Sequence, residues 1–524
     1  MKKIATDIDD FEKIIKEGFL YVDKTKFITK MIEAGTYYFL SRPRRFGKSL
    51  FLNTIKRFYE GKKDLFQGLY IYDYDWKWEE YPIIHLDFNN IPAENKEILE
   101  KSLQKSLSKI ADKYGIQLEI EKAYYMFSEL IEKLASKYNK NVVVLIDEYD
   151  KAIVSNLNHH SSNDIALENQ AYLKILYDNL KSHISHLELV FITGISKFSK
   201  LSIFSALNNL KILDMRPGFS FMLGYTEKEL HDNFDPYFEK FAAENDIKKE
   251  AVYKKFKEMY NGFRFSDEDI KVYNPYSIAS ALEVKKIDNY WFESGTPKFL
   301  VDLIKKSNFD ISNLENIEVG KEDLKAYDLE NLELIPLLFQ TGYLTIKQID
   351  DDLIYKLDYP NFEVENGFTI NLAKSFSQNK ITVPVVHRLK KLLINKNLEE
   401  FIEQMMSIFA SLANINIPKS LQDREAYYNS IFYLITTLLT DNNLNVYSEV
   451  LTSEGRIDCT VETETDIYII EFKANQNAEI ALQQIKDKNY AERFKIKDKK
   501  LVLIGINFDT EKRNIKDTKI EEID

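Results

Sequence analysis

A short loop between a predicted strand and a predicted helix constrains this chain more than any other feature of its sequence. The apolar run YYFL lies at 37–40, the loop RPRRFGKS follows at 42–49, and the amphipathic stretch SLFLNTIKRFYEG begins at Ser49. A tight loop at the start of a helix turns backbone N–H groups toward one point, where the helix adds positive potential. The sequence therefore predicts a phosphate-binding turn between a buried strand and its helix.

Three further apolar runs indicate the fold class of the N-terminal part. IIHLDF at 83–88, VVVLI at 142–146 and LELVFITGI at 187–195 are separated by long helical patterns. Continuous β-branched runs that alternate with helices are typical of a parallel sheet covered on both faces. We therefore expect an α/β fold in which the loop lies at one edge of a parallel sheet.

The side chains of the loop have separate chemical roles. Lys48 would reach the β- and γ-phosphates of a nucleotide, and Ser49 would ligate Mg²⁺. Arg42 stands where the usual pattern has its first glycine, and its Cβ limits the backbone there. The three arginines would contact anions or form a solvated basic loop. The residues expected to bind the cofactor are Arg42, Pro43, Arg44, Arg45, Phe46, Gly47, Lys48 and Ser49.

Polar residues at the ends of two later strands complete this predicted site. The strand VVVLI ends directly in Asp147 and Glu148, and LELVFITGI carries Thr193 near its end. Asp147 would hold Mg²⁺ through water, and Glu148 would orient the attacking water. Thr193 would sense the γ-phosphate or be an ordinary loop residue. Together these residues predict that the chain binds and hydrolyses ATP with Mg²⁺.

A second group of carboxylates lies near the C-terminus. Asp458 follows a Gly-Arg-Ile turn, and thirteen residues later Glu471 and Lys473 share one face of the strand IIEFK. Asp458 and Glu471 would hold Mg²⁺, while Lys473 would position the water that attacks a phosphodiester. Glu425 would bind a second ion or orient water, and Gln484 adds a polar group from the next helix. The alternative is a solvated Glu-x-Lys ion pair, which is common on strands.

Composition limits what the chain can bind. Its 71 Lys and Arg against 83 Asp and Glu give a net charge of −12, which argues against a protein that coats nucleic acid. Positive charge is local: residues 481–505 hold seven basic and three acidic residues and would contact phosphates or form a solvated helix face. A single cysteine, Cys459, and the absence of a signal sequence or an uncharged apolar run of eighteen residues predict a cytoplasmic protein without a membrane segment.

The pattern changes twice along the chain, which predicts three parts. Residues 1–225 would form the nucleotide-binding domain, 226–400 a mainly helical middle region, and 401–524 a compact α/β domain with the order α-β-β-β-α-β. Within the middle region, two apolar segments at 339–360 flank an acidic turn and predict a β-hairpin.

Several segments together resemble a known family. They are RPRRFGKSLFLNTIK, YVDKT with Tyr21 at its start, VVVLIDEYDKAI, FITGISKFSKLSIFSALNNL, YNGFRF and VYNPYSI. They resemble the bacterial and archaeal AAA-ATPase-like proteins whose C-terminal part is a PD-(D/E)xK nuclease-superfamily domain. The resemblance implies the parallel sheet of a P-loop NTPase, a helical middle region and a C-terminal restriction-endonuclease-like domain. It also implies that Arg42 is normal in this loop, that Asp147 and Glu148 form the second phosphate-site motif, and that Asp458, Glu471 and Lys473 are the nuclease residues.

Three functions agree with these patterns. The first is an ATPase that regulates a metal-dependent nuclease acting on DNA or RNA. The second is an ATP-switched module that binds nucleic acid or protein without cutting. The third is a signalling ATPase that forms homo-oligomers, in which Arg216 or Arg264 would serve as an arginine finger at a subunit boundary.

Overall fold

The structure is a computed structural model of the 524-residue chain that divides into two compact units. One unit comprises residues 1–294 and 318–364, and the other comprises 295–317 and 365–524. The predicted boundaries at 225 and 400 remain a prediction. The residues that the structure describes are 1–157, 164–197, 207, 209–293, 298–306, 309, 311–314, 317–324, 333–377, 379, 381–411, 430–440, 444–451, 455–512 and 514–523.

A five-stranded parallel sheet forms the centre of the first unit. Its strand order is β2-β3-β4-β1-β5, and every neighbouring pair is parallel. The first four strands coincide with the apolar runs of the sequence, so the predicted α/β fold with a parallel sheet is confirmed. The strands are β1 (Tyr37–Ser41), β2 (Ile83–Asp87), β3 (Val142–Asp147), β4 (Leu187–Gly194) and β5 (Lys211–Ile212).

Among the described residues, seven α-helices accompany this sheet. In α4, Asn95 caps the N-terminus through the amide of Ile98, and leucines at 99, 103 and 107 form one buried face. No helix in the described part of the chain is both long and apolar enough to cross a membrane. The helices are α1 (Phe11–Lys16), α2 (Lys26–Ala34), α3 (Lys48–Tyr59), α4 (Lys96–Lys113), α5 (Ala123–Tyr138), α6 (Lys151–Val154) and α7 (Asp164–Ser182).

A helical segment follows the sheet. Thr226 and Glu229 form a reciprocal capping box at the start of α8, and the aromatic face of α8 packs on α9 and α10 in one buried cluster. The elements of this segment are β6 (Tyr225–Thr226), α8 (Glu227–Glu244), α9 (Lys249–Tyr260), β7 (Val272–Tyr273), α10 (Pro275–Val284) and α11 (Tyr290–Glu293). The next helix, α12 (Lys298–Lys306), belongs to the second unit.

The predicted hairpin is present. Strands β9 and β10 pair antiparallel, and β8 joins them to make a three-stranded sheet in the order β8-β10-β9. The turn between them is acidic, as expected from the sequence. The elements are β8 (Ile317–Gly320), α13 (Leu334–Thr341), β9 (Thr345–Ile349) and β10 (Ile354–Asp358).

A mixed five-stranded sheet forms the centre of the second unit. The order is β11-β12-β13-β14-β15, and only the β13–β14 pair is parallel, with α18 as its crossover. The predicted order α-β-β-β-α-β is therefore present, but the last strand, β15, was not predicted. The elements are α14 (Phe362–Phe376), α15 (Val383–Ile394), α16 (Leu398–Ser411), α17 (helical residues 430–437), β11 (Leu444–Leu451), β12 (Arg456–Thr463), β13 (Asp466–Ala474), α18 (Ala478–Asp487), β14 (Lys500–Asp509) and β15 (Asn514–Ile523).

Candidate functional site

The phosphate loop connects β1 to α3. Ser41 ends the strand and Lys48 begins the helix, with Gly47 as the N-cap residue. Two loop residues have left-handed backbones, Arg45 with φ of 65° and Gly47 with φ of 89°. Alternating right- and left-handed residues form a concave row of N–H groups that suits an anion. The sequence predicts a restricted backbone at Arg42, but the residue that combines a Cβ with a left-handed backbone is Arg45, at a cost of roughly 1–2 kcal/mol.

Lys48 lies folded into this loop. Its Nζ donates to the carbonyl oxygens of Arg42 and Pro43, each at 3.0 Å, and only 5% of the residue is exposed. Burial lowers the pKa of Lys48, whereas the negative charges of Glu148, Asp147 and Asp150 oppose that change. The ammonium group is thus held in the loop close to the carboxylates that follow β3.

The predicted polar residues of β3 and β4 lie together at the carboxyl ends of these two neighbouring strands. The hydroxyl of Thr193 donates to Asp147 Oδ1, and the backbone N–H of Glu148 donates to Thr193 Oγ1 at 3.4 Å. Asp147 and Thr193 are buried, and Glu148 has a left-handed backbone with φ of 50°. Ser49 lies half-buried in the first turn of α3. A nucleotide phosphate bound in the loop would therefore face both an ammonium and a carboxylate–hydroxyl pair.

Asp150 is a further buried carboxylate that the sequence analysis missed. Its Oδ2 accepts from the backbone N–H of Ser196 at 2.8 Å, from the hydroxyl of Ser196 at 2.5 Å and from the N–H of Ile195 at 3.2 Å. Burial raises the pKa of Asp150. The residue joins the turn after β3 to the turn after β4. The signal was present as a third acid in the segment IDEYD.

The side chain of Arg42 is buried and packs against residues outside the loop. It is 1% exposed, its guanidinium lies 4.2 Å from the ring centroid of Phe265, and Nη2 donates to the carbonyl of Phe219 at 3.4 Å. Asp214 lies 4.0 Å from Nη1. These contacts occupy the guanidinium with protein groups. Of the other two arginines, Arg44 is half-buried and Arg45 is exposed.

A cavity of about 90 Å³ adjoins the loop at Gly47. The YVDKT segment forms one of its walls. Tyr21 donates to or accepts from Thr54 of α3 at 3.3 Å, and Lys24 pairs with Glu229 of α8 at 2.7 Å. The lining also includes Leu50, Phe51, Leu223, Tyr225 and Pro275. An apolar and aromatic cavity next to a phosphate loop has the surroundings that a nucleoside needs.

The C-terminal carboxylates lie on adjacent antiparallel strands. Cys459 of β12 pairs with Ile470 of β13, so Asp458 and Glu471 are the next residues along the ladder. Asp458 Oδ2 accepts the backbone N–H of Phe472 at 2.8 Å. Burial, followed by the charge of Asp458, raises the pKa of Glu471. The structure therefore brings the two predicted carboxylates together.

Lys473 and Gln484 both contact Glu471. Lys473 Nζ donates to Glu471 Oε1 at 3.5 Å, and Gln484 Nε2 of α18 donates to the same oxygen. Four of the predicted residues thus form one connected group. Glu425 lies outside the described residues.

This group has the chemistry of a divalent-cation site. Glu471 is 1% exposed, and its Oε2 has no hydrogen-bond partner among the described residues. Asp458 supplies a second carboxylate, and hard oxygen ligands suit Mg²⁺. Within the described ranges, no cluster of three or more His, Cys, Asp or Glu residues has a metal-binding arrangement.

The basic stretch 481–505 is largely paired with acidic residues. Lys497 and Lys499 both contact Glu462, at 2.6 and 2.9 Å. Further ion pairs join Lys486 to Glu521, Lys495 to Glu492 and Lys500 to Glu522. This pairing favours the solvated helix face over a phosphate-contacting patch for these lysines.

The two candidate arginine fingers differ in their surroundings. Arg264 is 7% exposed, and its guanidinium donates to the carbonyls of Ser266, Asp267 and Glu268 and pairs with Asp269 at 3.2 Å. These contacts hold its own loop together. Arg216 is exposed.

Comparisons with known proteins identify the families of the two domains. A family described as predicted AAA-ATPase matches residues 5–204, and the PD-(D/E)XK nuclease superfamily matches residues 423–518. An uncharacterized protein in the vnfD 5′ region of Azotobacter chroococcum mcd 1 is 34% identical over 526 residues, covering 98% of each chain. The predicted architecture of a P-loop ATPase followed by a nuclease-like domain is confirmed.

Proposed function

Because the chain belongs to the AAA-ATPase-like family that carries a C-terminal PD-(D/E)XK nuclease-superfamily domain, we propose that it hydrolyses ATP to regulate a metal-dependent nuclease. The proposed ATP hydrolysis rests on the position of Lys48 in the loop, close to Asp147 and its hydrogen-bond partner Thr193. The proposed nuclease activity rests on Asp458 and Glu471, which lie opposite each other on adjacent strands, next to Lys473.

In the proposed ATPase, the residues of the loop bind the phosphates of ATP, and the residues at the ends of β3 and β4 assist its hydrolysis. Lys48 exchanges its two carbonyl contacts for the β- and γ-phosphates, as its position in the loop allows. Mg²⁺ would be held by Ser49 and by Asp147 through water, and it would neutralise phosphate charge. Glu148 orients the attacking water, and Thr193 holds the carboxylate of Asp147 in place. The base and ribose lie in the cavity beside Gly47.

In the proposed nuclease, Glu471 and Asp458 would hold a divalent cation, which would supply Lewis-acid stabilisation of the phosphodiester. Gln484 and Lys473 fix the orientation of Glu471 through its Oε1, so that Oε2 would be available as a metal ligand. Lys473 positions the attacking water and stabilises developing negative charge. The proposed substrate is nucleic acid, with DNA and RNA both to be tested.

The ATP site is tested with Lys48→Ala, and exposed Lys62→Ala provides the matched control. We expect binding of ATP to fall at least a hundredfold in the first variant and to stay within twofold of wild type in the second. Thr193→Val keeps the side-chain shape but removes the hydroxyl, so we expect ATP to bind while hydrolysis falls. Unchanged affinity in Lys48→Ala would remove the phosphate-loop assignment.

The nuclease site is tested with Asp458→Ala against Asp487→Ala, an exposed carboxylate at the end of α18. Linear, circular and single-stranded DNA and RNA are incubated with Mg²⁺ or Mn²⁺, with and without ATP. We expect metal-dependent cleavage by wild type and Asp487→Ala and none by Asp458→Ala. Binding of nucleic acid without cleavage, unaffected by Asp458→Ala, would instead favour the ATP-switched binding module.

A further inference from the structure

Four consecutive residues of the phosphate loop are packed against one set of distant residues. We call this set the loop-contact cluster; its members are Phe263, Phe265, Tyr276, Trp291 and Gly342. Each contact is specific to one loop position. Trp291 Nε1 donates to the carbonyl of Arg44 at 3.1 Å, the ring of Tyr276 lies 4.5 Å from the Arg45 guanidinium, and Phe46 packs edge-on against Phe263 and Phe265 at 4.9 and 5.4 Å.

The fourth contact concerns Pro43 and Gly342. Gly342 caps the C-terminus of α13 with φ of 86°, and a Cβ at this position would lie 2.5 Å from Cγ of Pro43. Any side chain there would push against the loop. Glycine is therefore required at position 342 for two reasons, the left-handed backbone angle and the lack of space for a side chain.

Trp291 is itself rigidly held. It is 6% exposed, its backbone N–H donates to Glu363 Oε1 at 2.8 Å, and its ring contacts Tyr343 and Phe263 at centroid distances of 5.3 and 6.2 Å. An indole fixed on both its backbone and its ring has little freedom to follow the loop. The loop must instead conform to Trp291.

The hydrogen bond to Arg44 sets the direction of the next amide. A trans peptide group is planar, so the C=O of Arg44 and the N–H of Arg45 point in opposite directions. Lys48 donates to the carbonyl of Pro43, which orients the N–H of Arg44 in the same way. Trp291 therefore determines where the Arg45 N–H points, at the residue whose left-handed backbone carries a Cβ.

We propose that the loop-contact cluster, with Trp291 as its positioning residue, holds the phosphate loop in its phosphate-binding conformation in place of the missing first glycine. This inference rests on the proposed ATP binding. It also gives α11 and the C-terminus of α13 a part in nucleotide binding, because a movement of Trp291 or Gly342 would change the loop.

The first test replaces Trp291 by Phe, which keeps an aromatic ring but removes the N–H donor. The Arg44 carbonyl then loses this hydrogen bond and the loop is held less firmly, so we expect ATP and ADP to bind about tenfold more weakly. Trp76→Phe is the matched control, because the indole N–H of Trp76 makes no hydrogen bond within the described part of the chain. Wild-type affinity in Trp291→Phe would overturn the inference.

The second test uses the natural residue and does not depend on the folding of Trp291→Phe. The chain has three tryptophans, so the double variant Trp76→Phe/Trp78→Phe leaves Trp291 as the single indole emitter. We expect ATP and pyrophosphate to shift its emission and adenosine, which lacks phosphates, to leave it unchanged. A Trp291 emission that is the same with and without bound ATP would overturn the inference. A wild-type protein that binds no ATP would instead refute the proposed function.

Discussion

The carboxyl group of Glu363 makes the first unit less stable as the pH rises. It is fully buried in the first turn of α14, where Oε2 accepts the hydroxyl of Ser277 at 2.7 Å and Oε1 accepts the N–H of Trp291 at 2.8 Å. These hydrogen bonds oppose the effect of burial without cancelling it. Burial raises the pKa of Glu363 to about 7.

The sign and size of the effect follow from this change. The folded state retains the proton that the unfolded chain loses near pH 4.5, so the free energy of unfolding is highest below pH 4.5, falls as the pH rises to about 7 and is level above that. A carboxyl pKa raised to this extent corresponds to roughly 3 kcal/mol. The substitution Glu363→Gln removes the ionisable group while its amide still pairs with Ser277 and Trp291.

The assay is urea unfolding of wild type and Glu363→Gln from pH 5 to pH 8.5, followed by tryptophan emission. All three tryptophans belong to the first unit, so the signal reports its unfolding. We expect the variant to be more stable by up to about 3 kcal/mol at pH 8.5 and by less than about 1 kcal/mol at pH 5. Glu283→Gln, an exposed change on α10, should shift stability by less than about 0.5 kcal/mol. A variant that follows wild type at every pH would refute the reasoning.

Three other changes test separate parts of the structure. Gly262→Ala should cost at least ~2 kcal/mol in urea unfolding, because a Cβ there would lie 2.0 Å from the carbonyl of Pro360 at a φ of 120°; wild-type stability would contradict the packing. Lys24→Met should cost roughly 2 kcal/mol by leaving Glu229 without its buried partner, and the double variant with Glu229→Gln should recover part of it, an outcome that independent residues would not give. Cys459, the chain's one thiol and buried, should react with a thiol reagent only after unfolding; rapid native reaction would show that β12 is accessible.

Local sequence was sufficient to predict those site residues that lie at the ends of strands or on neighbouring strands. Asp147 and Thr193 follow apolar runs, and adjacent parallel strands bring them together without any long-range information. The same holds for Asp458 and Glu471, because a short hairpin fixes their register. The strands and the central residues of both sites were therefore predictable.

Long-range packing was not accessible in this way. Trp291 lies 247 positions from Arg44, and no periodicity relates the two. The pairing of Lys497 and Lys499 with Glu462 was hidden for the same reason, so charge counting overestimated the local positive field. Strand β15 was missed because its charged residues mask a short-range strand pattern.

The route of the polypeptide through its two units limits how the protein can be cut. The chain leaves the first unit after residue 294, returns at 318 and leaves again after 364. A truncation near residue 225 would remove the rings of Phe263 and Phe265 that pack on Phe46 and so expose the phosphate loop. A recombinant fragment of the first unit must instead extend to residue 364 and carry a short linker in place of 295–317. Limited proteolysis at one connection alone would leave the two units covalently joined.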